Sequence, residues 1–457
     1  MIEKKEGNQM FDYQNPELSI RQRVEDLLSR MTLEEKAAQT CMLRGVEYAT
    51  KPSKKHNCSV EVDTDFDETK LLQDFGMDGF GFVHDMYATP VAFNKIQKYF
   101  MEHSRLGIPV IFTSEALHGV SGLRGTVFPV PLNFGATFDP ELIHQVGEAI
   151  ATETRALGMH EILAPNLDVA REPRWGRIEE TFGEDTYLSS KMAAAIISGE
   201  QKGDISRSDA VVAEPKHYCV HGIAEGGTNC SHARAGRREV ESCYLPVFEA
   251  GIKEGGAYNV MVSYNAVDGD PLMCSEWYLK DVLKNRFQLK GYSRSDWGGV
   301  CRLKDAHHLV TTDKDAIRLA VCNGLDVQGC DYSPVFWKKT IIELVREGSL
   351  SMNRLNDIVS RVLRVKFELG LFEHPYTDES AYESVIRCDA HREISHQTAK
   401  ESIVLLKNNG ILPLINEISS IALIGPSSAA QKIGGYSSIP QFHVPSVYGN
   451  EPESYGK

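Results

Sequence analysis

Apolar positions along this chain change their period near residue 79. Before that point they recur every three to four residues. Residues 16–31 (PELSIRQRVEDLLSRM) and 32–43 (TLEEKAAQTCML) therefore read as helices. Thr32 and Glu35 form a capping box at the start of the second. From residue 79 onward, short apolar runs alternate with amphipathic stretches. The runs cover 79–86, 108–119, 126–138, 159–170, 210–218, 258–267, 289–298 and 324–329. Helical patterns link them at 92–106, 140–158, 186–202, 238–255, 275–287 and 313–324. Only the link between the second and third runs lacks a clear helix. Eight strand-like runs joined by helices are the pattern of a parallel sheet, and eight suit closure as a (β/α)₈ barrel. A doubly wound sheet is the alternative, but its GxGxxG turn is absent.

Helical patterning continues through 339–373, and 374–390 (HPYTDESAYESVIRCDA) is a polar linker. A further helix over 390–410 runs toward a strand at 419–428 (SSIALIGPSS). The expected organisation is N-terminal helices plus a catalytic barrel over 1–372, a linker over 373–395, and over 396–457 the start of an α/β sandwich domain, apparently truncated. The last residues are expected to be loosely ordered.

Composition narrows the partners. The chain has 457 residues, 42% hydrophobic and 25% charged, enough for a large core. Its net charge of −14 argues against nucleic acid and anionic membrane surfaces as partners. No apolar run reaches membrane-spanning length, and the polar start has no signal-peptide core. The ten cysteines are scattered and read as reduced thiols. The expected compartment is the cytoplasm, or the periplasm or exterior if a signal was removed.

Polar residues gather where the apolar runs end, which in a barrel is the mouth of the active site. Glu115 follows PVIFTS, and Asp168 follows ILAPNL ahead of REPRWGR. Lys216 and His217 follow VVAEP, Tyr264 follows VMVS, and Asp296 follows GYSRS. Five such ends outweigh the ordinary reading of Asp296 as a turn residue. Carboxylate, Lys, Arg and His together bind hydroxyl groups, and Trp175 and Trp297 offer flat faces for a pyranose ring. Sugar chemistry is the class these residues suggest, and glycoside hydrolysis needs two carboxyl groups. Lys216, His217 and Arg177 favour an ionised Asp296. His217 and His221 have helical metal-pair spacing, but they follow a strand, so no metal is expected. His118 is read as holding a loop, and HGIAEGGTN (221–229) as a flexible loop over the site.

The motifs SEALHGV, FPVPLNFGATFD, APNLDVAREPRWGRIEETFGED, PKHY, MVSYNAVDG, SDWG and KFELGLFEHPYTD, in this order, resemble glycoside hydrolase family 3. The resemblance implies a barrel followed by an α/β sandwich, and no cofactor. It also implies retaining, exo-acting removal of single β-linked sugars by a β-glucosidase or β-xylosidase. Asp296 matches the nucleophile. Glu115 matches the carboxylate that grips the terminal sugar, and Arg177, Lys216, His217 and Tyr264 match its other contacts.

Three departures stand out. The family's usual acid/base lies in the second domain, and Glu417, Glu451 and Glu453 sit in no recognisable context. The chain thus reads as a fragment, with a catalytically impaired sugar-binding protein as the rival function. Position 115 is Glu where many β-glucosidases have Asp, which leans toward a pentose. Arg294 replaces an aliphatic residue. By strand alternation it faces the way Asp296 does, one layer deeper, where it would pair with a barrel carboxylate and help ionise Asp296. A register shift turning it outward is the alternative.

Overall fold

The computed structural model describes residues 10–48, 66–84, 86, 89–120, 125–415, 418–426, 428 and 433–437. Strands β1 (Met42–Arg44), β2 (Phe82–His84), β3 (Ile111–Ser114), β4 (Glu161–Ile162) and β5 (Val212–Ala213) pair in that order, all parallel. A parallel bridge from Tyr218 to Val262 carries the order to β6 (Val260–Val262). Beyond β6 a small hairpin joins β7 (Ala266–Val267) and β8 (Asp270–Pro271). β6 pairs in parallel with β9 (Ser293–Ser295), and Arg294 bridges to Val327 in the eighth barrel position. Apart from Arg44 at the end of β1, every residue of the barrel strands is buried, as expected for a sheet covered by helices.

Closure is evident from a single side chain. In a flat sheet of this order, β9 and β2 would lie five spacings apart, about 24 Å. Yet the Arg294 guanidinium sits 4.4 Å from the Phe82 ring centroid and 3.5 Å from Met42 Sδ of β1. It also donates to Glu161 of β4 (2.5 Å) and to both oxygens of Glu214 beyond β5 (3.0 Å). Only a sheet curled into a barrel brings these strands to one point. The fold is a TIM-barrel-type α/β domain.

Two expectations about the strands need correcting. Residues 126–138 do not form a strand. Pro131 stands at the first position of a helix, Pro131–Thr137, where its fixed φ and missing N–H are tolerated. That is why no helix could be found linking the second run to the third. Conversely, the helix expected over 32–43 stops early, at Leu33–Ala38, and Met42–Arg44 becomes the first strand. The two errors cancel in the count of eight. The expected capping box is present: Thr32 Oγ1 accepts from Glu35 N and Glu35 Oε2 from Thr32 N.

The expected linker lies against the barrel. Buried Glu153 accepts from Arg387 N (2.9 Å) and from His391 Nδ1 (2.8 Å), and it also accepts from Thr126 N and Oγ1. The helix that comes next runs only over Asp389–Glu401, not to 410. Among the described residues of 419–428 no strand forms, and Ile403, Leu406 and Ile424 stand in solvent. A strand needs a neighbour for its backbone groups, and none lies beside this stretch among the described residues. Glu417, Glu451, Glu453 and the chain's last residues fall outside the described ones. No helix among the described residues is long and apolar enough to cross a membrane.

Two substitutions test this packing. Arg294→Met leaves two carboxyl groups buried without their cation and should destabilise the chain by about 3–5 kcal/mol in denaturant unfolding. Glu200 is fully buried, and neither carboxyl oxygen has a partner among the described residues. Burial raises its carboxyl well above the usual range. The folded chain thus holds this proton more tightly than the unfolded chain, so stability falls as pH rises above the ordinary carboxylate range. Glu200→Met should stabilise by about 1–3 kcal/mol at neutral pH, with the gain shrinking toward pH 4 in paired thermal melts.

Candidate active site

Asp296 comes directly after β9 at the barrel mouth and opens a tight turn, in which Gly299 N donates to Asp296 O (2.8 Å). Gly298 takes φ 72°, a left-handed position that glycine fills without strain. Asp331, past the eighth strand position, pins this turn from both sides. It accepts from Ser295 Oγ before the turn and from Val300 N after it (2.5 Å). Gly329 lets the two segments meet, since a Cβ there would lie 2.1 Å from Ser295 O.

The carboxylate of Asp296 is asymmetric. Oδ1 accepts from the Tyr264 hydroxyl (2.8 Å) and from Trp297 N (2.7 Å). Oδ2 has no hydrogen-bond partner among the described residues, and His217 Nε2 lies 3.5 Å away. Burial pushes Asp296 above its ordinary value, opposed by Arg177, Lys216, the Tyr264 hydroxyl and the Trp297 N–H.

The surrounding charges are already matched. Lys216 Nζ donates to Glu115 Oε2 (2.7 Å), with both residues buried. Arg177 grips Glu180 through two bonds of 2.8 Å. Burial drives His217 well below its usual range, so the ring is neutral. Its Nδ1 donates to Asp168 Oδ2 (2.7 Å), which leaves Nε2 to accept from Arg177 Nη2 (2.9 Å). Burial also pushes Asp168 up to about 8.

The structure thus gathers Glu115, Asp168, Arg177, Lys216, His217, Tyr264 and Asp296 in one place. Trp297 joins them, half-buried, with the edge of His84 against its ring and Arg44 over its face. Trp175 does not offer a face to a ligand. It is 2% exposed, and its indole N–H donates to Asn229 Oδ1, so it supports Arg177 and His221 from beneath. His118 does hold a loop, through Phe128 O (2.8 Å) and Gly435 O.

One residue went unnoticed in the sequence. Tyr436 is buried at the mouth, with Lys216 Nζ 4.7 Å from its ring centroid. Gly435 N donates to Glu179 Oε1 (2.9 Å) and holds the stretch there. Its only local signal is an aromatic residue directly after the pair Gly434–Gly435.

The family model described as the glycosyl hydrolase family 3 N-terminal domain matches residues 32–365. The chain belongs to glycosyl hydrolase family 3. It is 32% identical over 425 residues to a putative β-xylosidase of Formosa agariphila, covering 92% of this chain and 55% of that protein. It is 31% identical over 415 residues to a periplasmic β-glucosidase of Salmonella typhimurium, covering 90% and 51%. Among solved structures, a β-glucosidase from Erythrobacter marinus superposes with a TM-score of 0.85 at 31% identity, covering 95% of this chain and 56% of that one. The Listeria innocua β-glucosidase in complex with glucose superposes with a TM-score of 0.79 at 32% identity, covering 91% and 56%. The family 3 chain described here spans about half the length of the curated relatives it matches.

The asymmetry at Asp296 gives a direct test. Tyr264→Phe removes a donor that favours the ionised carboxylate, so Asp296 should titrate at higher pH than in the parent chain. A carbon NMR titration of the aspartate carboxyls, assigned by Asp296→Asn, reads the shift. Lys216→Met should move it the same way.

Proposed function

We propose that this chain carries the catalytic barrel of a retaining, exo-acting β-glycosidase that removes one terminal sugar through a covalent glycosyl-enzyme. The observation that carries this reading is the state of Asp296. One of its oxygens is held by two donors, and the other is shielded and has no hydrogen-bond partner among the described residues, inside a cluster of hydroxyl-binding groups. In the first step the unpartnered Oδ2 attacks the anomeric carbon as the glycosidic C–O bond breaks, and an acid protonates the departing oxygen. In the second, water attacks the same carbon, gives up its proton to the conjugate base, and releases Asp296 as the carboxylate.

Tyr264 orients the nucleophile. Glu115, Lys216, Arg177 and His217 grip the hydroxyls of the terminal sugar, and Trp297 offers it a flat face. The acid/base is assigned outside the described residues. Of the carboxyl groups beside Asp296, Glu115 and Glu180 are each spent on a cation and Asp168 on an imidazole. The names of the matched proteins divide between β-glucosidase and β-xylosidase. A glucoside is the first substrate proposed and a xyloside the alternative, toward which the longer Glu115 leans. A silent sugar-binding role is the second reading, favoured by the same spent carboxyl groups.

Incubation with dinitrophenyl 2-deoxy-2-fluoro-β-glucoside, and separately with the xyloside, tests the nucleophile without needing the acid. A stoichiometric mass adduct on Asp296, absent from Asp296→Asn, is expected, and the faster sugar names the preference. No adduct from either, with glucose or xylose still bound, would leave the binding role.

A further inference from the structure

Beyond Tyr264, around the mouth from Glu115, stands a cation with a different status from Lys216 and Arg177. The Arg302 guanidinium lies 5.6 Å from the centroid of the Tyr264 ring, the ring whose hydroxyl holds Asp296. Its side chain has no carboxylate or other hydrogen-bond acceptor among the described residues, and Nε is shielded from solvent. A shielded guanidinium N–H without an acceptor is unfavourable unless something supplies one. Close by, His307 Nε2 bonds Tyr264 O (3.0 Å), and its Nδ1 is shielded and equally without a partner among the described residues. Burial lowers His307, so the ring is neutral; with Nε2 donating to the carbonyl, Nδ1 is a lone-pair acceptor. Two orphan groups, a cationic donor and a neutral acceptor, thus flank the nucleophile's tyrosine.

The ring order says which part of a substrate they meet. Four of the groups assigned to the terminal sugar, Glu115, Arg177, Lys216 and His217, come from the segments after β3, β4 and β5, ahead of Tyr264 in the order of strands, while its flat face, Trp297, follows Asp296 directly after β9. Arg302 and His307 come further along the segment that Asp296 opens, on the other side of Tyr264 from those four groups in the order of strands. Building on the exo-glycosidase reading above, we propose that Arg302 and His307 form a subsite for the departing unit, one that selects a uronic acid. The planar fork of Arg302 meets the carboxylate, and Nδ1 of His307 accepts from a ring hydroxyl. A sulfate ester shares the negative charge but not the planar geometry.

Binding of uncleavable thio-linked disaccharides tests this without any chemistry. Calorimetric titration of the whole chain compares β-glucosyl-(1→4)-glucuronate with cellobiose and its sulfated form. The uronate should bind about tenfold tighter than cellobiose, and less so at high salt. Arg302→Met should abolish that preference while changing the affinity for cellobiose less than about twofold. Equal binding by the parent chain, a preference that survives in Arg302→Met, or a gain for the sulfate alone would overturn the proposal. If no disaccharide binds, the terminal-sugar reading of the site falls instead. Free glucuronate against free glucose then reads the subsite on the same criteria: a preference lost in Arg302→Met supports it, and no preference overturns it.

Discussion

The barrel is organised around one guanidinium. Arg294 comes from β9 and meets groups from β1, β2, β4 and the end of β5, all fully buried. Burying a charge at this depth is expensive unless its hydrogen bonds are completed, and here they are. Glu161 Oε1 also accepts from Tyr292 Oη and from Asn259 Nδ2, both at 2.6 Å, so the acid end of the cluster is tied down as well. Two carboxyl groups face one cation. Burial raises Glu214 well above the usual carboxylate range against the pull of Arg294. An aliphatic residue at position 294 could fill space, but it could not set the relative positions of four strands by direction.

That layer supports the site mechanically more than electrically. Arg294 was expected to help ionise Asp296, and its pairing with barrel carboxylates is as expected. The charges that act most on Asp296 are instead Arg177 and Lys216. The charge of Arg294 is spent on its own two partners. The same economy runs through the mouth, where Glu115 matches Lys216, Glu180 matches Arg177 and Asp168 matches His217. Each pair fixes a side chain that would otherwise sample several rotamers. Among the described residues of the mouth, one oxygen each of Asp296 and Asp168 and the nitrogens beside Tyr264 are left unmatched.

Much of this was legible in the sequence because strand ends are marked by abrupt polarity. An apolar run that stops at a carboxylate or a lysine places that residue at the mouth whatever the exact strand length. Thus seven site residues could be named although several strands are only two or three residues long. The boundaries were less legible. Met42–Arg44 hides behind a helix whose apolar pattern runs straight into it, and 126–138 is apolar enough to pass for a strand until Pro131 is weighed as a helix opener. Trp175 was misplaced because sequence cannot tell an aromatic face from an aromatic support. Tyr436 was missed because its role depends on a contact with Lys216, more than two hundred residues earlier, that no local pattern records.

Tyr436 also bears on where the functional unit ends. The stretch around it reaches the mouth through Gly435, held by Glu179 and His118, and through the cation contact with Lys216. Between it and the helix Asp389–Glu401 lies a segment whose described apolar side chains face water, with Leu406 at 92% and Ile424 at 93% exposure. Such a segment gains nothing from solvent and would lose that exposed area in a sheet of its own. Two kinds of attachment therefore extend past the barrel helices. One is a set of polar anchors at the mouth, already occupied; the other is an apolar stretch with no strand partner among the described residues. The first brings Tyr436 against Lys216 at the mouth. The second forms no strand among the described residues, because a strand needs a partner for its backbone groups.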